Sequence, residues 1–285
     1  MPHSPKDPRT LQLLAHEMRA DIIRMLHEAG SGHPGGSLSA IDLLTVLFYN
    51  HLERTAENAL AKDRHRFILS KGHGVPAVYA LFAKMGIIEP AELMTLRKLG
   101  SRLQGHPYNV MLPEVEASTG SLGQGLSIAQ GMAMAAKIEH TDIRVYALLG
   151  DGEFQEGQIW ESLLSAPKFG LDNLTVILDF NKGQIDGPTS EVMNIEPVVD
   201  KVQSFNWEVQ RIDGHDVAAI DAALTNTHAR NGKPHFIVAD TMKGKGVSFM
   251  EHPNEWHGKA PNAEETARAL AEIDVLIHQA ASVLS

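Results

Sequence analysis

Leu148-Leu149-Gly150-Asp151-Gly152-Glu153-Phe154-Gln155-Glu156-Gly157, followed by Leu174-Thr175-Val176-Ile177-Leu178-Asp179-Phe180-Asn181, decides the fold. Each stretch is an apolar, strand-like run that turns polar at its end. Neither alternates between apolar and polar residues, which fits strands buried on both faces. The segment between them, residues 155–169, reads as a helix. The two run ends are therefore expected side by side at the carboxyl edge of one parallel sheet, where open α/β sheets bind ligands. Asp151 offers a carboxylate oxygen there and Asn181 an amide oxygen. Hard oxygen ligands of this kind suit Mg²⁺ or Ca²⁺, and Mg²⁺ shares its remaining positions with water and phosphate. Gly-Asp-Gly on its own is a common turn; the pair of strand ends is what gives it meaning.

The same alternation continues outward. Further strands are expected at 67–69, 207–212 and 236–240, and helices at 11–29, 75–85, 123–139, 198–205, 217–229 and 264–281. Gly30 follows the first helix where a left-handed cap belongs, and Asp216 stands as the cap of the 217–229 helix. A helix is expected over 39–49, with Ser39 and Asp42 in the form of a capping box. Residues 94–116 show no period and read mostly as loop. These elements predict an α/β fold: one domain over residues 1–285, its parallel sheet covered by helices on both faces.

Composition bounds the function. The chain has 285 residues, 43% hydrophobic and 21% charged, with a formal net charge of −10. That charge argues against nucleic acid as a partner. It leaves a phosphorylated ligand open, because helix amino termini and a bound metal hold phosphate without a basic patch. The absence of Cys excludes disulfides, thiolate metal sites and Cys nucleophiles. Residues 1–10 are polar and lack the apolar core of a signal peptide. No run approaches the ~20 apolar residues of a membrane span. No membrane association is expected, and a cytoplasmic location is the default.

Other polar clusters stand far from Asp151 in sequence. They are Ser31-Gly32-His33-Pro34-Gly35-Gly36, Ser70-Lys71-Gly72-His73-Gly74 after a strand, Gly105-His106-Pro107, and Ser118-Thr119-Gly120-Ser121-Leu122-Gly123-Gln124-Gly125 opening a helix. Read singly, each is a loop, a tight packing point or a place where backbone approaches a ligand. Glycines at a helix start also leave free N–H groups for an anion. Gly-Asp-Gly closing on Asn181 resembles the thiamine diphosphate signature. In their order and spacing, and with Glu255-Trp256-His257-Gly258, the clusters resemble the diphosphate-binding domain of the transketolase family from about residue 10 to 262.

The resemblance implies thiamine diphosphate as cofactor with Mg²⁺, for which Ca²⁺ or Mn²⁺ can substitute. It implies Asp151, Asn181 and the backbone carbonyl of Gly183 as metal ligands. Many family members carry a larger aliphatic residue at 183, a change that a backbone ligand tolerates. Gly152 and His73 would bond the diphosphate, and Gly120, Ser121 and Leu122 would contact the aminopyrimidine ring; the family usually has Pro where Ser121 stands. Glu156 matches a Glu of a carboxylate network joining paired cofactor sites, while read alone it is a solvated first-turn Glu favoured by the helix dipole. His33, His106 and His257 are the implied proton-handling and substrate-gripping residues, His257 also contacting the cofactor, and imidazole suits that work near neutral pH. His16, His27 and His228 read as helical surface or core residues.

The activity implied is transfer of a two-carbon ketol unit from a ketose phosphate to an aldose phosphate. Fused transketolases have two further domains, and the run from Ser31 to Ser39 looks more like the split form. The expectation is an N-terminal subunit that works only with a C-terminal subunit carrying the pyrimidine-binding domain, in an α2β2 assembly. The competing readings are a subunit of a 2-oxo acid dehydrogenase or deoxyxylulose phosphate synthase type enzyme, and a cofactor-binding scaffold without activity. The choice between ordinary pentose phosphates and a specialised sugar is open from sequence.

Overall fold

The computed structural model describes residues 5–251 and 254–284; residues 1–4, the head of the polar amino-terminal stretch, and residues 252–253 and 285 lie outside them. Helix α1 (Pro8–Ala29) is capped by Asp7 and ends on Gly30 at φ 64°. Helix α2 (Pro34–Val46) follows at once and continues as a π-helical turn to His51. Then come β1 (Arg66–Leu69), α3 (Val75–Lys84), α4 (Gln124–Ile138), β2 (Val145–Gly150), α5 (Gly157–Lys168) and β3 (Leu174–Phe180). A small antiparallel ribbon, β4 (Gly183–Gln184) with β5 (Gly187–Pro188), leads to α6 (Thr189–Val192) and α7 (Val198–Ser204). The chain ends with β6 (Glu208–Asp213), α8 (Val217–Asn226), β7 (His235–Asp240) and α9 (Ala263–Ser282).

The main sheet has five strands in the order β1-β2-β3-β7-β6, every pair parallel. Its central strands carry two apolar faces, and the residues sort accordingly. Tyr146 and Leu148 of β2, with Ile177 of β3, pack against α1, α2, α3 and α8. Val145, Ala147 and Leu149, with Val176 and Leu178, pack against α4, α5 and α7. This is why the strands read as unbroken apolar runs. β6 at the edge is only half-buried and alternates. Trp207, expected to open that strand, precedes it; the indole is buried and its N–H donates to Leu163 O at 2.8 Å.

Two expectations about the helices fail. Ser39 and Asp42 are not a capping box, because α2 begins at Pro34 and both residues lie inside it. Proline at a first helical position needs no N–H partner and is preset for the helix. Ser39 instead donates to Asp179 Oδ2 at 2.6 Å, and Asp42 pairs with Arg19 at 2.5 Å and His215 at 2.7 Å. His228 also falls beyond α8, which ends at Asn226. The long segment before α4 is irregular apart from a 3₁₀ turn, Pro90–Thr95. It is held through Glu116, whose buried carboxylate binds both Arg54 and Arg64 at 2.6 Å.

Candidate active site

Register brings the deciding residues together. Gly150 of β2 lies opposite Asp179 of β3, so Asp151 and Asn181 leave the sheet at neighbouring tips. Asp151 Oδ1 accepts Gly152 N at 2.8 Å, and Oδ2 accepts Lys182 N at 2.5 Å. Asn181 Oδ1 accepts Gly183 N at 3.2 Å. Burial, reinforced by the Asp179 charge, pushes the Asp151 carboxyl up to about 6. A carboxylate held this way gains from a cation. One already lies close: the Lys243 ammonium donates to Gly183 O at 3.1 Å, and burial pushes it down to about 8. A carboxylate, an amide oxygen and a carbonyl that attracts positive charge form a donor set that fits Mg²⁺.

Asp179 lies behind this cage with no exposed surface. It accepts from Ser39, Thr241, Asn181 and the buried Lys71 ammonium, which holds its carboxyl below the usual range against the opposing effect of burial. Lys71 also donates to Gly36 O at 2.8 Å. Helix α2 and the turns after β1, β3 and β7 are thereby pinned to one carboxylate.

A cavity of about 350 Å³ opens above the sheet edge. Asp151, Asn181 and Gly183 line it, together with Gly152, Glu156, Gly120 and Leu122. Ser121 does not line it and is exposed. Glu156 is exposed at the foot of α5 and makes no side-chain cap there.

Four histidines converge on the cavity. The His33 ring centroid lies 5.2 Å from His73, 5.4 Å from His257 and 6.2 Å from His106; His73 and His257 are 5.0 Å apart. They come from the head of α2, the turn after β1, the irregular 85–123 segment and the 3₁₀ turn Asn254–His257. Burial is the main cause that lowers each one. It pushes His33 down to about 4, aided by the Arg97 charge, and His257 to about 3, aided by Lys243. His73 lies well below its ordinary value and His106 is lowered too. All four are neutral imidazoles at neutral pH, each able to donate from one ring nitrogen and accept at the other.

Sequence reading missed four residues here. Lys71 lies in the Ser70–Gly74 cluster, where the histidine is the more obvious ligand. Lys243 follows β7 in a Met-Lys-Gly-Lys-Gly turn at the same carboxyl edge, which is the signal that finds it. Asp179 reads as part of an apolar strand. Glu153 lies between Gly152 and Phe154 and reads as an ordinary turn residue.

The chain matches the family described as "Transketolase, thiamine diphosphate binding domain" over residues 11–276. It is 38% identical over 270 residues to one subunit of the apulose-4-phosphate transketolase of Phocaeicola vulgatus, spanning 95% of this chain and 96% of that protein. It is 40% identical over 265 residues to the 6-deoxy-6-sulfo-D-fructose transketolase subunit SqwG of Clostridium sp. (strain MSTE9), spanning 93% and 96%. Among solved structures, transketolase from Campylobacter jejuni superimposes with a TM-score of 0.88 at 33% identity, covering 94% of this chain. The chain spans 43% of that enzyme. Sheet, oxygen cage and cavity thus define a thiamine diphosphate-binding α/β domain. The chain belongs to the transketolase family, and it matches two proteins named as transketolase subunits over nearly their whole length.

Proposed function

We propose that the chain is the thiamine diphosphate-binding subunit of a two-component transketolase, moving a two-carbon ketol unit from a ketose phosphate to an aldose phosphate. The convergence of four neutral histidines on the cavity that ends at Asp151 and Asn181 carries this reading. The bound cofactor supplies the electron sink for the two-carbon unit. Asp151, Asn181 and the Gly183 carbonyl hold Mg²⁺, with Ca²⁺ or Mn²⁺ as substitutes. Gly152 N–H and His73 bond the diphosphate. Gly120 and Leu122 border the cavity where the aminopyrimidine ring belongs; Ser121, exposed and off the lining, contributes backbone alone.

His33 and His257 exchange protons with hydroxyl and carbonyl oxygens of the sugar. A neutral imidazole takes a proton at its free ring nitrogen and returns it from the imidazolium so formed, and burial favours the return. His106, on the exposed rim, grips the donor's hydroxyl end. Glu156 faces outward toward a paired site.

The partner is a C-terminal subunit carrying the pyrimidine-binding domain, in an α2β2 assembly located in the cytoplasm. The two relatives above are named for a phosphorylated and a sulfonated sugar respectively. A sugar with an anionic terminus is the substrate class proposed here. The test is calorimetry with thiamine diphosphate and Mg²⁺, then a ketol-transfer assay with and without the C-terminal subunit. Binding by this chain, and transfer only with both, is the expected result. Transfer by this chain alone overturns the two-component reading, and no cofactor binding in either setting overturns the function.

A further inference from the structure

The cofactor cavity contains a second buried carboxylate that none of the roles above uses. Glu153 is 2% exposed and lies one residue past the Gly150-Asp151-Gly152 turn. Its Oε1 accepts from Ser70 Oγ at 2.5 Å and from Gly123 N at 2.9 Å, while Oε2 accepts from Gly150 N at 3.2 Å. These donors belong to three different turns. Ser70 opens the turn that carries Lys71 and His73. Gly123 closes the turn that carries Gly120 and Leu122. Gly150 opens the turn that carries Asp151.

We infer that Glu153 is a positioning residue for cofactor binding: its carboxylate clamps the three turns that build the diphosphate end of the cavity. The inference rests on the function proposed above.

The turns present ligand-binding groups on one side and must satisfy their inward N–H and O–H groups on the other. Glu153 meets three of these donors at a single point. The turns also touch one another. A Cβ on Gly72 would lie 2.7 Å from Gly120 N, and one on Gly125 would lie 2.4 Å from Ser70 Oγ. A shift in one turn is therefore passed to the next. Asp179 fixes the β3 side of the cage, and Glu153 fixes the β2 side. Groups that orient the residues in contact with a metal commonly change affinity by about 10–100-fold when altered.

The test uses the full chain with Glu153→Gln and, as a milder change, Ser70→Ala. An amide at 153 keeps the shape but replaces one acceptor oxygen with a donor. Thiamine diphosphate affinity at saturating Mg²⁺ is measured by calorimetry, and melting temperature is measured with and without cofactor. Expected are a dissociation constant raised about 10-fold or more for Glu153→Gln, a smaller rise for Ser70→Ala, and a reduced cofactor-induced rise in melting temperature for both. A folded Glu153→Gln chain binding within about twofold of wild type overturns the inference while leaving the function standing. If Glu153→Gln does not fold, unchanged affinity in Ser70→Ala overturns it equally. A wild-type chain that fails to bind the cofactor removes the function and the inference together.

Discussion

Asp151 reaches across the gap between two strand tips and accepts the backbone N–H of Lys182 at 2.5 Å. The bond fixes Asn181 and Gly183 relative to the carboxylate. It also leaves lone pairs on both Asp151 oxygens, each of which accepts only one backbone N–H. Replacement of Asp151 by Asn puts an NH₂ where an acceptor is required, facing either Gly152 N or Lys182 N. Mg²⁺-dependent binding of thiamine diphosphate should fall by at least about 100-fold, the upper end for a group that merely orients a ligand. The apo chain should keep its melting temperature within a few degrees, since burying that carboxylate is itself unfavourable. Calorimetry and thermal melts on the same preparation separate the two effects.

The Lys71–Asp179 pair lies at full burial behind the cage. Removing one partner strands the other charge without water. Lys71→Met or Asp179→Asn alone should cost about 3–5 kcal/mol in urea unfolding, and the double variant clearly less than the sum. Equal additive losses would mean that the two side chains stabilise the fold independently.

The order of strands and helices was legible because β2 and β3 are apolar on both faces and their helices have clear periods. Asp151 and Asn181 were legible because polarity switches abruptly at the strand ends. The start of α2 was not. Ser39 and Asp42 have the form of a cap, but their side chains are spent on Asp179 and Arg19 inside the helix. A sequence window sees the residue types and not the long-range partners that recruit them. Glu153 was illegible for the same reason, its three donors lying on separate turns. His106 sits on a segment without period, held by long-range partners: Arg54 and Arg64 grip Glu116, and the Tyr79 hydroxyl donates to Gln104 O.

Acid should unfold the chain through its histidines. His16 and His33 are pushed down to about 4, and His257 to about 3, chiefly by burial. In the unfolded chain each titrates near ~6.5. Between those values the unfolded state binds more protons, so stability rises with pH in that window. The contribution is complete above about pH 6.5 and is lost progressively as pH falls toward about 4. Melting temperature should therefore decline between about pH 6.5 and 4, partly offset by Asp151, whose raised carboxyl takes up its proton in the folded chain between about pH 6 and 4. Replacing His33 by Gln should make the decline shallower. An unchanged slope in that variant would assign the acid sensitivity to other groups.

Gly120 couples the cofactor turn to His106. Its φ of 133° is strained for any side chain, and an added Cβ would lie 2.7 Å from His106 Cδ2 and 3.0 Å from Cγ. The imidazole is exposed and can swing away, so Gly120→Ala should fold. The swing removes His106 from its place 6.2 Å from His33. Displacing a positioned group by about 1 Å can cost about 100-fold in turnover. Assembled with the partner subunit proposed above, the chain should therefore lose kcat by that order. Gly120 also lines the cofactor cavity, so affinity for thiamine diphosphate should weaken in parallel. His106→Ala separates the two causes. If the displaced imidazole is responsible for the kcat loss, Gly120→Ala should add little to it in that background, while the loss of cofactor affinity should persist. Equal kcat losses from Gly120→Ala in both backgrounds would show that strain at residue 120 acts on the cofactor alone.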